Sequence, residues 1–348
     1  MVVMGKEEEN QQQLKEEEVQ EEARVVVQKE KTADEEAEAA LVQKISGLAD
    51  AIAKLPSLSP SPEVNALFTD LHGGRGAPGP GAADHARGLI RLCADAEALL
   101  EAHYSDLLAS FDNPLDHLTL FPYFSNYLLL SQLEHGLLAR HVPGPPPARV
   151  AFVGSGPLPL SSLVLAARHL PAAAFDNYDI CGDANDRARR LVRADAALAA
   201  RMAFRTSDVA DVTRDLAGYD VVFLAALVGM AAEEKARVVE HLGRHMAPGA
   251  ALVVRSAHGA RGFLYPVVDP EEIRRGGFDV LAVHHPEGEV INSVIIARKP
   301  VPVDAHAVAG VGHAHAHGAV LSRPCLCCEM EARAHQKMEE VAMEQLPS

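Results

Sequence analysis

Apolar residues in the first part of the chain recur at the spacing of one helix face. Between residues 34 and 55 they lie three or four positions apart, and similar spacing predicts a long helix over about 84–110 and another over roughly 123–141. Proline and glycine interrupt these segments, as expected of turns. Residues 34–142 are therefore predicted to form an N-terminal helical domain. A proline-rich turn, 143–147, follows.

The hydrophobic period then changes from helical to extended. Helical segments are predicted at about 158–170, 183–200 and 231–246, between the earlier strands. Such alternation is typical of a parallel, doubly wound sheet. The last two strands follow each other through a hairpin turn at 286–289. The seven predicted strands cover residues 149–153, 174–179, 202–206, 219–225, 249–255, 278–284 and 290–298.

An antiparallel pair that closes an otherwise parallel sheet distinguishes one group of α/β folds from a plain Rossmann domain. We therefore predict, for residues 148–300, a Rossmann-type domain with the fold of S-adenosylmethionine-dependent methyltransferases. It is preceded by the N-terminal helical bundle.

The net charge of the chain limits the classes of partner that it can bind. The 348 residues carry a net charge of −16, and half of it, −8, lies in residues 1–50. An acidic chain is a poor match for nucleic acid, whose phosphates require a basic surface. No apolar stretch approaches the ~20 residues of a membrane helix, and the N-terminus has no secretory hydrophobic region. We expect a cytoplasmic protein without stable membrane insertion; association with intracellular vesicles and self-association stay open.

The two ends of the chain differ from its middle in composition. Residues 1–33 are rich in Glu, Gln and Lys and are expected to be an acidic, disordered extension. Residues 301–348 are expected to be a flexible tail. The tail contains His313, His315, His317, Cys325, Cys327 and Cys328. Because three alternate histidines do not share a helix face and the cysteine spacing is not one usual for zinc, we predict no metal site.

A glycine pair follows the first predicted strand. Gly154, Ser155 and Gly156 form a turn that can approach a ligand closely, and the helix after it would present free N–H groups. The third glycine of the dinucleotide fingerprint is absent. Asp179 ends the second strand about twenty residues later, where a carboxylate accepts ribose hydroxyls. The alternative is that Asp179 caps the following helix.

The next two strand ends complete a candidate adenosine site. Asp208 can accept from an adenine amino group while the Val209 N–H donates, although Asp208 is equally suited to capping a helix. Ala225 and Ala226 follow the fourth strand and would leave room for a ligand, as they would in ordinary core packing. An adenosine site without a pyrophosphate site favours S-adenosylmethionine over NAD.

Extended sequence motifs resemble those of the plant nicotianamine synthase family. They include Phe121-Pro122-Tyr123-Phe124-Ser125-Asn126-Tyr127 and Val153-Gly154-Ser155-Gly156-Pro157-Leu158-Pro159. The resemblance spans about residues 40–300. It implies that three S-adenosylmethionine molecules condense, by transfer of 3-amino-3-carboxypropyl groups, to nicotianamine and three methylthioadenosines. The product would serve as a chelator in iron, zinc and copper homeostasis. No cofactor beyond the substrate is implied.

The resemblance also implies a glutamate and a tyrosine in the reaction chamber. We assign them to Glu97 and Tyr123. Glu101 and Tyr127 are kept as alternates, because each lies one helical turn from the assigned residue and spacing alone does not separate them. A carboxylate can accept the proton that the attacking amine must lose. From the residues alone, a solvated helix face for the glutamates and a core edge for the tyrosines remain an alternative.

Several polar residues near the later strands are further candidates. Arg255, His258 and Arg261 could hold substrate carboxylates, for which arginine is suited. Asn126 and Asn292 could orient substrate. Two other functions stay open: a conventional S-adenosylmethionine-dependent methyltransferase, and a non-catalytic protein that binds an adenosyl ligand or metal.

Overall fold

The computed structural model describes residues 83–302 and seven residues near the first predicted helix. Those seven are Gln43, Gly47, Leu48, Asp50, Ala51, Ile52 and Lys54. The predictions for the acidic extension, 1–33, and for all but the first two residues of the tail, 301–348, lie outside the described residues.

Two long helices precede the sheet. Helix α1 covers Ala83–Leu108 and α2 covers Phe124–His141, joined by a 3-10 helix at Pro114–Leu120. Both helices lie close to their predicted positions. A separate apolar cluster fastens α1 to the chain after the first strand. It contains Leu108, Phe121, Leu158, Leu160 and Leu191.

The seven predicted strands form one sheet in the order β3-β2-β1-β4-β5-β7-β6. Pairing is parallel from β3 to β5, whereas β7 is antiparallel to both β5 and β6. The prediction of a parallel sheet closed by an antiparallel pair is therefore confirmed. The strands are β1 Arg149–Val153, β2 Ala174–Asp179, β3 Met202–Thr206, β4 Val221–Leu224, β5 Ala251–Ser256, β6 Asp279–His284 and β7 Ser293–Arg298.

Helices connect the strands, mostly where the sequence predicts them. They are α3 Leu160–Val164, continued by a π-helical turn at Leu165–His169, then α4 Gly182–Val192, α5 Ala196–Ala199, α6 Ala232–His245 and α7 Pro270–Arg275. The single helix predicted at 183–200 is wrong. It is broken because Asp195 accepts hydrogen bonds from the N–H groups of Ala197 and Leu198 and so begins a new helix.

Helix α2 packs directly on the sheet through shared core residues. Leu130, Leu137 and Leu138 of α2 share one buried cluster with Val150 and Phe152 of β1. Apolar burial on both faces is what a parallel sheet requires. Within the described residues, no helix combines the length and apolar character needed to cross a membrane.

Candidate active site

A cavity of about 930 Å³ lies between α1 and the carboxyl ends of the parallel strands. This volume is at the upper end of the range for small-molecule sites, roughly 300–1,000 Å³. One wall comes from the strand ends and the other from α1, α2 and the segment after β5. Every strand-end residue predicted for the adenosine site borders it: Gly154, Ser155, Gly156, Asp179, Asp208, Val209, Ala225 and Ala226.

The glycine turn links the two walls. Gly154 has φ 81° and Gly156 has φ 67°, conformations that favour glycine. A Cβ on Gly154 would lie 2.4 Å from Cγ2 of Val228. A Cβ on Gly156 would lie 2.7 Å from Oε2 of Glu101 on α1. Only a residue without a side chain allows the helix carboxylate to approach the turn this closely.

Backbone N–H groups fix the Asp179 carboxylate. Its Oδ2 accepts from the Gly156 N–H and its Oδ1 from the Cys181 N–H, each at 2.9 Å. Helix α4 begins at Gly182 without a side-chain cap, so Asp179 is not its N-cap. Each carboxylate oxygen can accept a second hydrogen bond. The side chain is therefore held at the cavity with acceptor capacity to spare.

Asp208 and Val209 form the next part of the strand-end wall. Oδ1 of Asp208 accepts from the Ala210 N–H at 2.9 Å and caps the 3-10 helix Val209–Asp211. One carboxylate oxygen of Asp208 therefore caps a helix, which is the alternative role that the sequence suggests for this residue. Asp208 is exposed and borders the cavity. Its second oxygen makes no hydrogen bond to a described residue.

A buried lysine fixes the loop after β4. Nζ of Lys235 donates to the carbonyl oxygens of Ala225 and Ala226, at 3.1 and 2.8 Å. Burial lowers the pKa of this lysine to about 7. Ala225 and Ala226 border the cavity, and the lysine fixes their carbonyl groups. The sequence offered no pattern that selects this lysine from the other charges of α6.

Two glutamates of α1 face the cavity one helical turn apart. Oη of Tyr127 donates to Oε1 of Glu101 at 3.1 Å, and the hydroxyl of Tyr265 donates to Glu97. The structure therefore brings Glu97, Glu101 and Tyr127 together at one wall. Tyr123 does not border this cavity and packs edge-on against Phe121, with ring centroids 5.9 Å apart.

The pKa values of these groups are raised. Burial raises the pKa of Glu97 to about 7, although the Tyr265 hydrogen bond acts to lower it. Burial, and then the charge of Glu97, raise the pKa of Glu101 to about 8. Both side chains keep some exposure because they border the cavity, but protein surrounds them closely. Burial and the negative charge of Glu97 also raise the pKa of Tyr123.

Arg255 is the only one of the three predicted carboxylate-binding residues that borders the cavity. It forms a buried, bidentate ion pair with Glu134 at 2.6 and 2.9 Å and donates to Oγ of Ser161 at 2.7 Å. Burial acts to lower the pKa of Arg255, but the Glu134 carboxylate outweighs it and raises the pKa. Arg261 instead donates to carbonyls between β6 and β7. His258 stacks on His285.

The two asparagines have different positions. Asn292 borders the cavity, whereas Oδ1 of Asn126 accepts from the Ile291 N–H at 3.1 Å and fixes the segment before β7. Sequence analysis missed Tyr265, Glu134 and Lys235. Tyr265 and Glu134 contact residues 168 and 121 positions away. Such contacts leave no local pattern in the sequence.

The sheet order, the glycine turn and the strand-end carboxylates define a Rossmann-type α/β protein with a small-molecule cavity. The family model "Nicotianamine synthase protein" matches residues 33–304. Nicotianamine synthase 3 of Oryza sativa subsp. indica is 75% identical over 332 residues, covering 92% of this chain and 96% of the relative. Nicotianamine synthase 9 of Hordeum vulgare is 73% identical, covering 89% and 95%. The chain belongs to the nicotianamine synthase family.

Solved structures support the fold. A crystal structure of MtNAS in complex with MTA and tNA has a TM-score of 0.61 and 21% identity, covering 74% of this chain and 96% of that one. A glutamate-to-glutamine variant of MtNAS in complex with S-adenosylmethionine has a TM-score of 0.60 and 22% identity, covering 75% and 98%. At these identities the comparison establishes the shared fold.

Proposed function

We propose that the protein is a nicotianamine synthase that uses S-adenosylmethionine as its sole substrate. Three molecules condense by 3-amino-3-carboxypropyl transfer into nicotianamine, and three methylthioadenosines are released. The adenosine part lies against Gly154, Ser155 and Gly156, with Asp179 accepting from the ribose hydroxyls. Asp208 and Val209 take the adenine edge, and Ala225 and Ala226 leave space for the ring. No cofactor beyond the substrate has a part in the reaction.

Each transfer exchanges one bond for another. In two of the three transfers, the amine nitrogen of one molecule attacks the γ-methylene carbon of the aminocarboxypropyl group of another, next to its sulfonium. In the remaining transfer the attack occurs within the product and closes a ring, so that three C–N bonds form for three methylthioadenosines released. The new C–N bond forms as the C–S bond breaks, and methylthioadenosine leaves with the electron pair. Because the sulfonium is already a good leaving group, the protein contributes mainly positioning and a proton acceptor.

Glu97 and Glu101 are the proposed proton acceptors. An α-amine is an ammonium below a pKa of about 7.7–8.0. The pKa values of the two glutamates, about 7 and about 8, lie close to that value. A matched acceptor can take the proton near neutral pH without a large free-energy cost. Tyr127 orients Glu101, and Tyr123, whose pKa burial and the charge of Glu97 raise, is the proposed tyrosine of the reaction chamber.

The observation that most directly supports the proposal is that the strand ends and the glutamates of α1 border one cavity. A binding site built around Asp179 and a pair of buried carboxylates on α1 open into the same space. A conventional methyltransferase, the second candidate, would transfer a methyl group and leave adenosylhomocysteine. The family and its 75% identical relatives do not favour that candidate.

Product analysis tests the proposed function. Purified protein is incubated with S-adenosylmethionine alone, and the products are separated by mass. Nicotianamine and methylthioadenosine in a 1:3 ratio are expected. Adenosylhomocysteine as the product, or no turnover without a second substrate, would contradict the proposal.

Nicotianamine is a metal chelator, so the proposed role is in metal homeostasis. We place the protein in the cytoplasm. The division into a helical domain, 34–142, and a binding domain, 148–300, is likewise a proposal. Deleting the extension 1–33 or the tail after residue 304 is expected to leave turnover intact.

A further inference from the structure

Arg255 has unused hydrogen-bonding capacity inside the cavity. Its Nε and Nη2 donate to Glu134 and Ser161, while Nη1 makes no hydrogen bond to a described residue. The residue is only 7% exposed and borders the cavity. Its guanidinium also packs over the Phe152 ring, with Cζ 5.2 Å from the ring centroid. The side chain is thus fixed on three sides, with Nη1 left to donate.

Asn292 immediately precedes β7, and continuing the alternation of that strand by one residue places it on the face of the sheet that carries Arg255. Arg255 is paired with Val294 across β5 and β7, and Asn292 precedes Val294 by two residues, which is the repeat of one strand face. The amide nitrogen of Asn292 is buried without a hydrogen-bond partner among the described residues. The side chain borders the cavity and is only 7% exposed. A buried polar group of this kind requires an explanation, and a ligand supplies one.

A negatively charged ligand group would require a cationic side chain as its partner in this cavity. Its walls carry the carboxylates of Glu97, Glu101, Asp179 and Asp208, among other acidic residues. Three arginines border it within the described residues. Arg187 is paired with Asp106, and Arg237 lies exposed on α6. Only Arg255 is buried on the side where the α1 glutamates lie.

We propose that Nη1 of Arg255 and the amide of Asn292 form a subsite for the α-carboxylate of the aminocarboxypropyl group. Glu134 is the positioning residue that holds the guanidinium. This inference rests on the proposed function and deepens it. When the molecule held there is the attacking one, the carboxylate at Arg255 places the amine on the same carbon toward Glu101 and Glu97, where its proton is accepted.

A pair of ligands that differ only in the carboxylate tests the subsite. Binding of S-adenosylmethionine and of decarboxylated S-adenosylmethionine is measured by calorimetry on the full chain. Asn292→Ala removes the unpartnered amide and is expected to fold. The double variant Glu134→Gln/Arg255→Gln removes both buried charges together, so that neither is left unpaired. Both variants should weaken S-adenosylmethionine roughly 10- to 100-fold, as expected for lost hydrogen bonds to a charged group.

The decisive readout is the affinity for S-adenosylmethionine divided by the affinity for decarboxylated S-adenosylmethionine. Decarboxylated S-adenosylmethionine should bind the wild type and both variants with nearly the same affinity. Glu134→Gln alone should lower this ratio, because the Arg255 guanidinium is no longer held in position. A residue with only a structural role would instead weaken the binding of both ligands equally. Arg274→Gln, an exposed change on α7, is the matched control. Equal weakening of both ligands, no weakening, or a selective loss on Arg237→Gln instead would overturn the inference. Absence of nicotianamine formation by the wild type would contradict the proposed function separately.

Discussion

The two walls of the cavity hold carboxylates in opposite ways. On the strand-end wall, two backbone N–H groups donate to Asp179 and fix its carboxylate in position. On the α1 wall, Glu97 and Glu101 are buried near each other and their pKa values are raised to about 7 and about 8. A carboxylate fixed by backbone donors suits hydroxyl binding, whereas a raised pKa suits proton transfer. The contrast separates binding from chemistry within one space.

The largest expected effect comes from the α1 wall. Glu97→Gln and Glu101→Gln should each lower the single-turnover rate, by about 10²–10⁴-fold for the residue that accepts the proton. The affinity for S-adenosylmethionine should change little, because the adenosine part contacts the other wall. Rapid quench measures the rate and calorimetry the affinity. Loss of ligand binding in both variants would show that the glutamates anchor the ligand instead.

The strand-end wall should respond in the opposite way. Asp179→Ala is expected to weaken S-adenosylmethionine binding roughly 10- to 100-fold, because hydrogen bonds to a charged group are lost. The single-turnover rate at saturating substrate should fall less than the affinity. Asp186→Ala, an exposed change on α4, is the matched control. An unchanged affinity for Asp179→Ala would remove the basis for assigning ribose binding to this residue.

Stability and activity should depend on pH in opposite directions. The folded pKa values of Glu97 and Glu101 lie above the ordinary value of 4.5, so the folded protein binds more protons between about pH 4.5 and 8. This contribution to stability is complete below the unfolded pKa and is lost as pH rises, by at most about 1.4 kcal/mol per pH unit for each proton.

Activity should rise through the same window because the acceptors become ionised. Urea unfolding at several pH values checks the stability change. The variant Glu97→Gln/Glu101→Gln provides the reference, since its stability should lack this contribution. Parallel pH dependences for the two proteins would contradict the assignment.

The smallest expected effect is that of Tyr265→Phe. The Tyr265 hydroxyl donates to Glu97 and acts to lower its pKa. Removing the hydroxyl should move the acid limb of the rate profile to higher pH, with a several-fold lower rate near pH 7 that recovers at higher pH. Tyr219→Phe, which removes a buried hydroxyl that donates to Asp176, should destabilise the fold without moving that limb. A rate loss that is independent of pH would contradict the assignment.

The two walls also differ in how far the sequence predicts them. The seven strands, Gly154, Gly156 and Asp179 follow from short patterns because each strand end lies next to its turn in the chain. Tyr265 and Glu134 contact residues 168 and 121 positions away, so only the folded chain brings them to the site. Helix α5 is an intermediate case, since Asp195 is a capping residue inside a helical pattern that otherwise continues over 183–200.

The central claim is that Glu97 and Glu101 titrate near neutral pH, and carbon NMR of glutamate side chains labelled at the carboxyl tests it directly. Two carboxyl signals should titrate near pH 7 and 8 and disappear, one each, in Glu97→Gln and Glu101→Gln. Because the charge of Glu97 adds to burial in raising the pKa of Glu101, Glu97→Gln should also lower the pKa of Glu101. Titration of every glutamate carboxyl near its ordinary pKa of 4.5 would contradict the account.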